Sequence, residues 1–400
     1  MDFSSGLSAK TMLDSIPEEF TFAKTSTGFF TSNSDAVLSG VLKKKGRKSG
    51  NMKKRFYVLK GNLMYYYIKK GDQEPRGVMY LPNKHMAQDC TKGKFGIKIF
   101  TSDSTTEYKT LYTSSQEECD IWFAELLKAS NNEDIFLKYK MKETLGVGRF
   151  STVRKAYLRA DETQDVAIKI ISKRSITEKE KDYIINEISA LRVINHPSVP
   201  RIYQVQETSE KLYIVMETIK DGELFDYLVD AGKLSFEEST DILNKLLKLS
   251  LYLKELRIMH RDIKTENILI RKSKNGSLKK IYLIDFGLAK FIDSREETTQ
   301  KLGTMGYCAP EVVKKESYNE KVDMWSIGIV YYLLLTGKLP FDGRNHEATA
   351  DKTVNAPLNL RNKVLSKLDM NVTKFLSQSL VKDGKDRLSF EEGIAMSSTF

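Results

Sequence analysis

His260-Arg261-Asp262-Ile263-Lys264-Thr265-Glu266-Asn267 decides the reading of this chain. These eight residues carry a carboxylate, an amine and a carboxamide. Asp285-Phe286-Gly287 follows after an apolar hairpin over residues 268–270 and 281–284, turned at Asn275-Gly276. The hairpin brings Asn267 and Asp285 together across a gap of eighteen residues. Moving a phosphoryl group from a nucleotide requires a base to orient a hydroxyl, a cation over the moving group and oxygen ligands for Mg²⁺. Asp262, Lys264, Asn267 and Asp285 are residue types suited to those tasks.

Upstream, Leu145-Gly146-Val147-Gly148-Arg149-Phe150-Ser151-Thr152-Val153 is a glycine-bearing turn. Glycine lets backbone approach a phosphate closely. Val166-Ala167-Ile168-Lys169 reads as a strand ending in an amine, and Ile184, Ile188 and Leu191 mark an amphipathic helix that carries Glu187. Residues 212–218 read as a further strand. Ser235 and Glu238 have the spacing of a capping box before a helix, in which Ile242, Leu246, Leu249, Leu253 and Leu256 recur every three or four residues.

In this order and spacing, the motifs resemble the eukaryotic protein kinases from about Tyr139 to Phe400, roughly two-thirds of the chain. The resemblance implies ATP and Mg²⁺ as cofactors and assigns roles. Asp262 is the base, Lys264 neutralises charge on the γ-phosphoryl group, and Asn267 and Asp285 bind the metal. Lys169, paired with Glu187, holds the nucleotide phosphates beneath Gly146, Gly148 and Ser151, which replaces the third glycine of the family turn. Val153, Ala167 and Leu269 enclose the adenine, Met216 is the gatekeeper, and Glu217 and Thr218 offer hinge backbone. Glu223 is assigned to the nucleotide site and to substrate reading. Glu311 of Gly303-Thr304-Met305-Gly306-Tyr307-Cys308-Ala309-Pro310-Glu311 pairs with Arg387, and Asp323 accepts backbone bonds from the catalytic loop.

Lys264 and Thr304 point to serine or threonine as the acceptor. Glu223 and Glu266 resemble acids that read an upstream arginine, so protein substrates with Ser/Thr near basic residues are expected. Gly222-Glu223-Leu224-Phe225-Asp226 and the loop around Asp262 look like the calcium/calmodulin-dependent kinase group. The chain ends soon after Arg387, without the tail of protein kinase B or a calmodulin-binding tail. Arg261 can clamp a phosphate in the activation segment. The family's usual acceptor position holds Gln300, and Thr298 and Thr299 lie out of register.

The first half has another texture. Strands are expected at residues 37–44, 54–60, 62–68, 77–81, 95–100 and 106–112, with Gly61-Asn62 as a tight turn. A helix over 115–129 puts Cys119, Trp122, Phe123, Leu126 and Leu127 on one face. Strands closed by one Trp-bearing helix resemble a pleckstrin-homology (PH) domain, with Trp122 as core. Between Gly40 and Arg76 twelve Lys/Arg face only Asp72 and Glu74, out of a chain net charge of +11. Lys44, Lys53, Arg55, Tyr66 and Arg76, around a loop from Gly46 to Met52, resemble the set that binds 3-phosphorylated inositol lipids. Clustered phosphates call for convergent cations. No aromatic stacking platform accompanies the basic loop, so nucleic acid is not an expected partner.

The fold class expected is multidomain: a disordered arm (1–35), a PH β-barrel with a C-terminal helix (36–130), a linker (131–138) and a bilobal α+β kinase fold (139–400). The short linker, reaching at most ~3.5 Å per residue, implies contact between the domains, with the basic loop resting on the kinase until lipid competes for it. Three scattered cysteines, no apolar run of membrane length, no signal pattern and Asp2 in place of a myristoylated glycine imply a cytoplasmic protein recruited reversibly to membrane. The function expected is a lipid-recruited Ser/Thr kinase. The alternative is a lipid-tethered pseudokinase or scaffold.

Overall fold

A computed structural model describes residues 19–21, 38–45, 51–72, 75–81, 84, 86–89, 94–100, 108–130, 135–148, 151–207, 210–292, 298–300 and 302–400. The arm apart from residues 19–21, the loop at 46–50, linker residues 131–134 and Cys90 lie outside the described residues. Chain packing divides into two units, residues 1–193 with 201–218, and residues 194–200 with 219–400.

The first unit opens with eight strands: β1 (Glu19–Thr21), β2 (Leu38–Lys45), β3 (Met52–Lys60), β4 (Leu63–Tyr67), β5 (Gly77–Tyr80), β6 (Met86–Asp89), β7 (Gly96–Phe100) and β8 (Tyr108–Tyr112). They form one antiparallel sheet in the order β1-β5-β4-β3-β2-β8-β7-β6. Helix α1 (Gln116–Ser130) follows, with Glu117 and Glu118 in its first turn, where acids suit the helix dipole. Cys119, Trp122 and Leu126 enter the core beside Leu42, Tyr57, Met64 and Ile97. Removing a ring like that of Trp122 from a packed core typically costs about 3–5 kcal/mol. Leu127 does not share the buried face. It is 38 % exposed, while Cys119, Trp122 and Leu126 are buried and Phe123 packs partly against the same core.

Two strands escape the sequence reading. Met86–Asp89 has too little β-branched or aromatic character to signal a strand. Glu19–Thr21, inside the expected disordered arm, pairs with β5 and places Phe20 opposite Val78. Three residues are too few to display alternation, and the open edge of β5 supplies the missing partners.

The strand β3 is buried on both faces from Phe56 to Leu59, so the usual in-out alternation fails there. Tyr57 and Leu59 face the barrel core. On the other face Tyr65 is buried close to Tyr67 and Arg201. Burial pushes its hydroxyl pKa well up, Tyr67 adds to the rise, and Arg201 opposes it. A Cβ on Gly61, in the β3–β4 turn, would lie 3.6 Å from the Tyr203 carbonyl. This contact sits at the end of β3 opposite Met52, roughly 25 Å away along nine residues of strand.

After α2 (Ile135–Lys138) come β9 (Tyr139–Val147), β10 (Ser151–Leu158), β11 (Asp161–Ser172), helix α3 (Glu178–Val193), β12 (Ile202–Glu207) and β13 (Lys211–Glu217). The five strands form an antiparallel sheet ordered β12-β13-β11-β10-β9.

The second unit is mainly helical. Its elements are α4 (Leu224–Ala231), α5 (Phe236–Glu255), α6 (Pro310–Lys314), α7 (Lys321–Thr336), α8 (His346–Asn355), α9 (Met370–Ser379) and α10 (Phe390–Ser397), with short strand pairs β14 (Ile258–Met259) with β17 (Lys290–Phe291) and β15 (Ile268–Lys272) with β16 (Leu278–Leu283). Ser235 caps α5 by accepting from the Glu238 N–H, but the Glu238 carboxylate accepts from Tyr227 instead of closing the expected box. The reciprocal box occurs at Ser389 and Glu392. Ile242, Leu246, Leu249 and Leu253 are buried along α5, and α7 is buried from Val322 to Leu335. The α5 helix therefore anchors the loop that follows it.

Candidate active site

Asp323, fully buried near the start of α7, accepts the backbone N–H groups of His260 and Arg261, each at 2.8 Å. Burial raises its carboxyl pKa, while His260, these backbone bonds and Arg261 pull the other way. The two bonds fix the backbone just before Asp262. Arg261 itself adopts φ 68°, a left-handed conformation that a non-glycine residue holds only where its surroundings impose it.

Around Asp262 four polar side chains close on one another. Thr304 Oγ1 donates to Asp262 Oδ1 at 2.7 Å, and Lys264 Nζ donates to Thr304 Oγ1 at 2.7 Å. Lys264 Nζ also stands 3.0 Å from Asp262 Oδ2, and Asn267 Nδ2 donates to that oxygen at 3.0 Å and to the Asp262 carbonyl at 2.9 Å. Asp262 is 8 % exposed. A carboxylate held from both sides cannot rotate freely, which is what a base aimed at a hydroxyl requires.

The activation segment reaches this cluster through Gly303. Its φ is +107°, and a Cβ there would lie 2.8 Å from the Arg261 carbonyl. Only glycine fits that approach, and it delivers Thr304 to Asp262. The segment is secured further along by the buried pair of Arg387 and Glu311, with bonds of 2.6 and 2.9 Å.

Asn267 and Asp285 are joined through backbone, since the Ile284 N–H donates to the Asn267 carbonyl at 2.9 Å. The β15–β16 register, Ile268 opposite Leu283, explains that closeness. Asn267 commits its nitrogen to Asp262, leaving its side-chain oxygen. Asp285 sits at φ 62° and accepts from the Gly287 N–H at 3.3 Å. Two oxygen donors suit a hard cation such as Mg²⁺, which takes its remaining ligands from phosphate and water. Among the described residues, no group of three or more His, Cys, Asp or Glu side chains gathers as it would to hold a metal by itself.

In the first unit, Lys169 donates to both oxygens of Glu187, at 2.6 and 2.7 Å. Glu187 is buried on α3. Across the sheet Val153 stands opposite Lys169, Gly146 opposite Val153, and Ala167 opposite Met216. The Gly148 N–H donates to the Ser151 carbonyl at 2.7 Å, closing the turn, while a Cβ on Gly146 would meet nothing within 4 Å. Glu217 ends β13 and Thr218 follows it, buried. Leu269 belongs to the second unit, where it bridges to Glu223.

Glu223, at the start of α4, lies near Asp226 and Glu266. Burial, then Asp226, then Glu266 raise its carboxyl pKa, and Lys264 opposes them. Asp226 joins the two acids expected from sequence. Its signal was the three-residue step from Glu223 onto the same helical turn.

At the basic end of the PH-like sheet, Lys44 stands directly opposite Lys53, and Leu42 opposite Arg55. Alternate strand residues share a face, so Lys44, Lys53 and Arg55 lie on the face that carries Leu42 and Tyr57 into the core. Lys44 Nζ is 4.2 Å from the centre of the Tyr66 ring, and the Arg76 N–H donates to the Tyr66 carbonyl at 2.6 Å. Lys53 is exposed, and Arg55 is half-buried with its guanidinium on the Lys54 carbonyl.

Residues 139–397 match the protein kinase domain family, and residues 36–131 match the PH domain. The chain belongs to the protein kinase family. Calcium/calmodulin-dependent protein kinase type 1 of Macrobrachium nipponense is 34% identical over 257 residues, 64% of this chain and 73% of the relative. Myosin light chain kinase A of Dictyostelium discoideum is 37% identical over 256 residues, 63% of this chain and 84% of that one. Serine/threonine-protein kinase SIK1 of Rattus norvegicus is 40% identical over 208 residues, 52% of this chain but 26% of its own length. The match therefore spans about a quarter of SIK1. The kinase is a multidomain ATP-dependent Ser/Thr kinase of the calcium/calmodulin-dependent group, preceded by a PH domain. No helix among the described residues is long and apolar enough to cross a membrane.

Of the expected regulatory residues, Arg261 and Thr298 are buried and Thr299 is exposed. Tyr318, which bonds to Arg261, was not anticipated, because nothing in its sequence surroundings distinguishes it.

Proposed function

We propose that the kinase transfers the γ-phosphoryl group of ATP to Ser or Thr of proteins bearing an arginine upstream, and that its PH domain brings it to phosphoinositide-bearing membranes. Bound Mg²⁺, held by Asn267 and Asp285, would neutralise phosphate charge. Asp262 orients the substrate hydroxyl and accepts its proton. Lys264 balances charge building on the transferred group, and Lys169, aligned by Glu187, holds the nucleotide phosphates. Thr304 positions Asp262 and Lys264 together. The observation that carries this reading is the closed cluster of Asp262, Thr304, Lys264 and Asn267.

Glu223, Glu266 and Asp226 supply the acid surface for a guanidinium. Three neighbouring carboxylates repel one another, and a bound arginine relieves that repulsion. The face shared by Lys44, Lys53 and Arg55 supports binding of a multiply phosphorylated head group. Phosphate transfer from ATP to a serine peptide with an upstream arginine, compared between wild type and Asp262→Asn, tests the catalytic half. Vesicle binding by wild type and a Lys53→Ala, Arg55→Ala variant tests the lipid half.

A further inference from the structure

Arg261 is 8 % exposed, and among the described residues its guanidinium donates to three partners, all neutral. Nε donates to the Leu288 carbonyl at 2.6 Å. Nη1 donates to Gln300 Oε1 at 3.1 Å and to the Tyr318 hydroxyl at 3.3 Å. The nearby Asp323 carboxylate is occupied by backbone N–H groups, including that of Arg261. A buried guanidinium is best matched by an anion such as phosphate. Here the Gln300 carboxamide takes that place.

The same segment is held at two further points. The Tyr318 hydroxyl donates to the Gln300 carbonyl at 2.8 Å. Thr298, 5 % exposed, forms an antiparallel bridge with Tyr318, whose N–H donates to the Thr298 carbonyl at 3.1 Å. A kinase adding phosphate to Thr298 would first have to open that bridge. Thr299 is exposed and makes none of the Arg261 contacts. From Gln300 the chain runs four residues to Thr304, which touches Asp262 and Lys264.

We propose that Gln300 is a positioning residue. Its carboxamide pins the activation segment to Arg261 and Tyr318, so that Thr304 reaches Asp262 without any phosphate on the segment. This rests on the kinase reading of the same site, and it departs from control by phosphorylation at Thr298 or Thr299.

The test uses the full chain, treated with phosphatase and shown by intact mass to carry no phosphate. Expected is a peptide-phosphorylation rate equal to that before treatment. Gln300→Ala should lower kcat about ten-fold, the scale of one hydrogen bond to a charged group, with KM for ATP unchanged. Gln300→Glu should restore the rate, because a carboxylate also pairs with the guanidinium. Loss of the wild-type rate on phosphatase treatment, or a Gln300→Ala enzyme as fast as wild type, would overturn the proposal. So would a Gln300→Glu enzyme as slow as Gln300→Ala, which would indicate a merely structural role. A wild type that transfers no phosphate before or after treatment refutes the kinase reading itself, a different failure.

Discussion

The catalytic cluster and the basic end of the PH domain solve opposite problems. Around Asp262 each charged or polar group has a partner inside the protein: Thr304 on one carboxylate oxygen, Lys264 and Asn267 on the other. The geometry is set before substrate arrives, so little reorganisation remains for the reaction. At the basic end the strands do the reverse. Lys43 faces Lys54 and Lys44 faces Lys53 across the ladder. Like charges directly opposite one another destabilise a sheet. On the proposed lipid reading, an anionic head group offsets that repulsion. The polar groups around Asp262 are thus matched to one another in advance, whereas like charges stand opposite one another across β2 and β3.

That contrast can be broken most severely at Thr304. Thr304→Ala removes the hydroxyl that ties Lys264 to Asp262, and kcat should fall about 10²-fold, as expected for a misplaced reacting group. Thr304→Ser keeps the hydroxyl and should keep most of the rate. Steady-state peptide kinetics on both variants decide it. An alanine variant as fast as the serine one would show that the cluster needs no tie.

At the proposed lipid face the effect should be smaller and dependent on salt. Each of Lys53→Ala and Arg55→Ala should weaken binding to phosphoinositide vesicles about five-fold, roughly 1 kcal/mol per cation near an anionic surface. Raising ionic strength should shrink the difference, because exposed charges are screened. Co-sedimentation at two salt concentrations measures both. Salt-independent binding would place the contact elsewhere.

The smallest expected effect lies between the two cases, at the acid surface of Glu223. Burial, Asp226 and Glu266 raise its pKa, so on acidification it takes up a proton before an ordinary glutamate does. The KM for an arginine-bearing peptide should accordingly rise as pH falls from neutral, while a peptide lacking arginine shows no such rise. Glu223→Gln should flatten the difference. Parallel pH profiles for the two peptides would remove Glu223 from substrate reading.

Much of this was legible in the sequence where one short motif carries its own chemistry. Asp262 and Asn267 stand five positions apart, and Asn267 and Asp285 are brought together across one hairpin. The face of Lys44, Lys53 and Arg55 follows from the two-residue period of strands. What stayed hidden depends on who stands opposite whom in space. Gln300 and Tyr318 are generic residue types, eighteen positions apart, and only the folded segment sets them both against Arg261. Phe20 pairs on a strand edge that its own neighbours do not announce. Glu238 had two competing partners, and the Tyr227 hydroxyl took it from the helix cap. The burial of Phe56 and Val58 on the outer face of β3 likewise answers to tertiary packing, not to strand pattern.

The most direct test replaces one oxygen. Asp262→Asn preserves size and the capacity to accept from Asn267, but it cannot take the hydroxyl proton. With ATP, Mg²⁺ and a serine peptide bearing an upstream arginine, the variant should transfer phosphate at least about 10²-fold more slowly than wild type, at an unchanged thermal midpoint. A variant that matches wild type would contradict the assignment of Asp262 as the base, and with it the account of the cluster built around it.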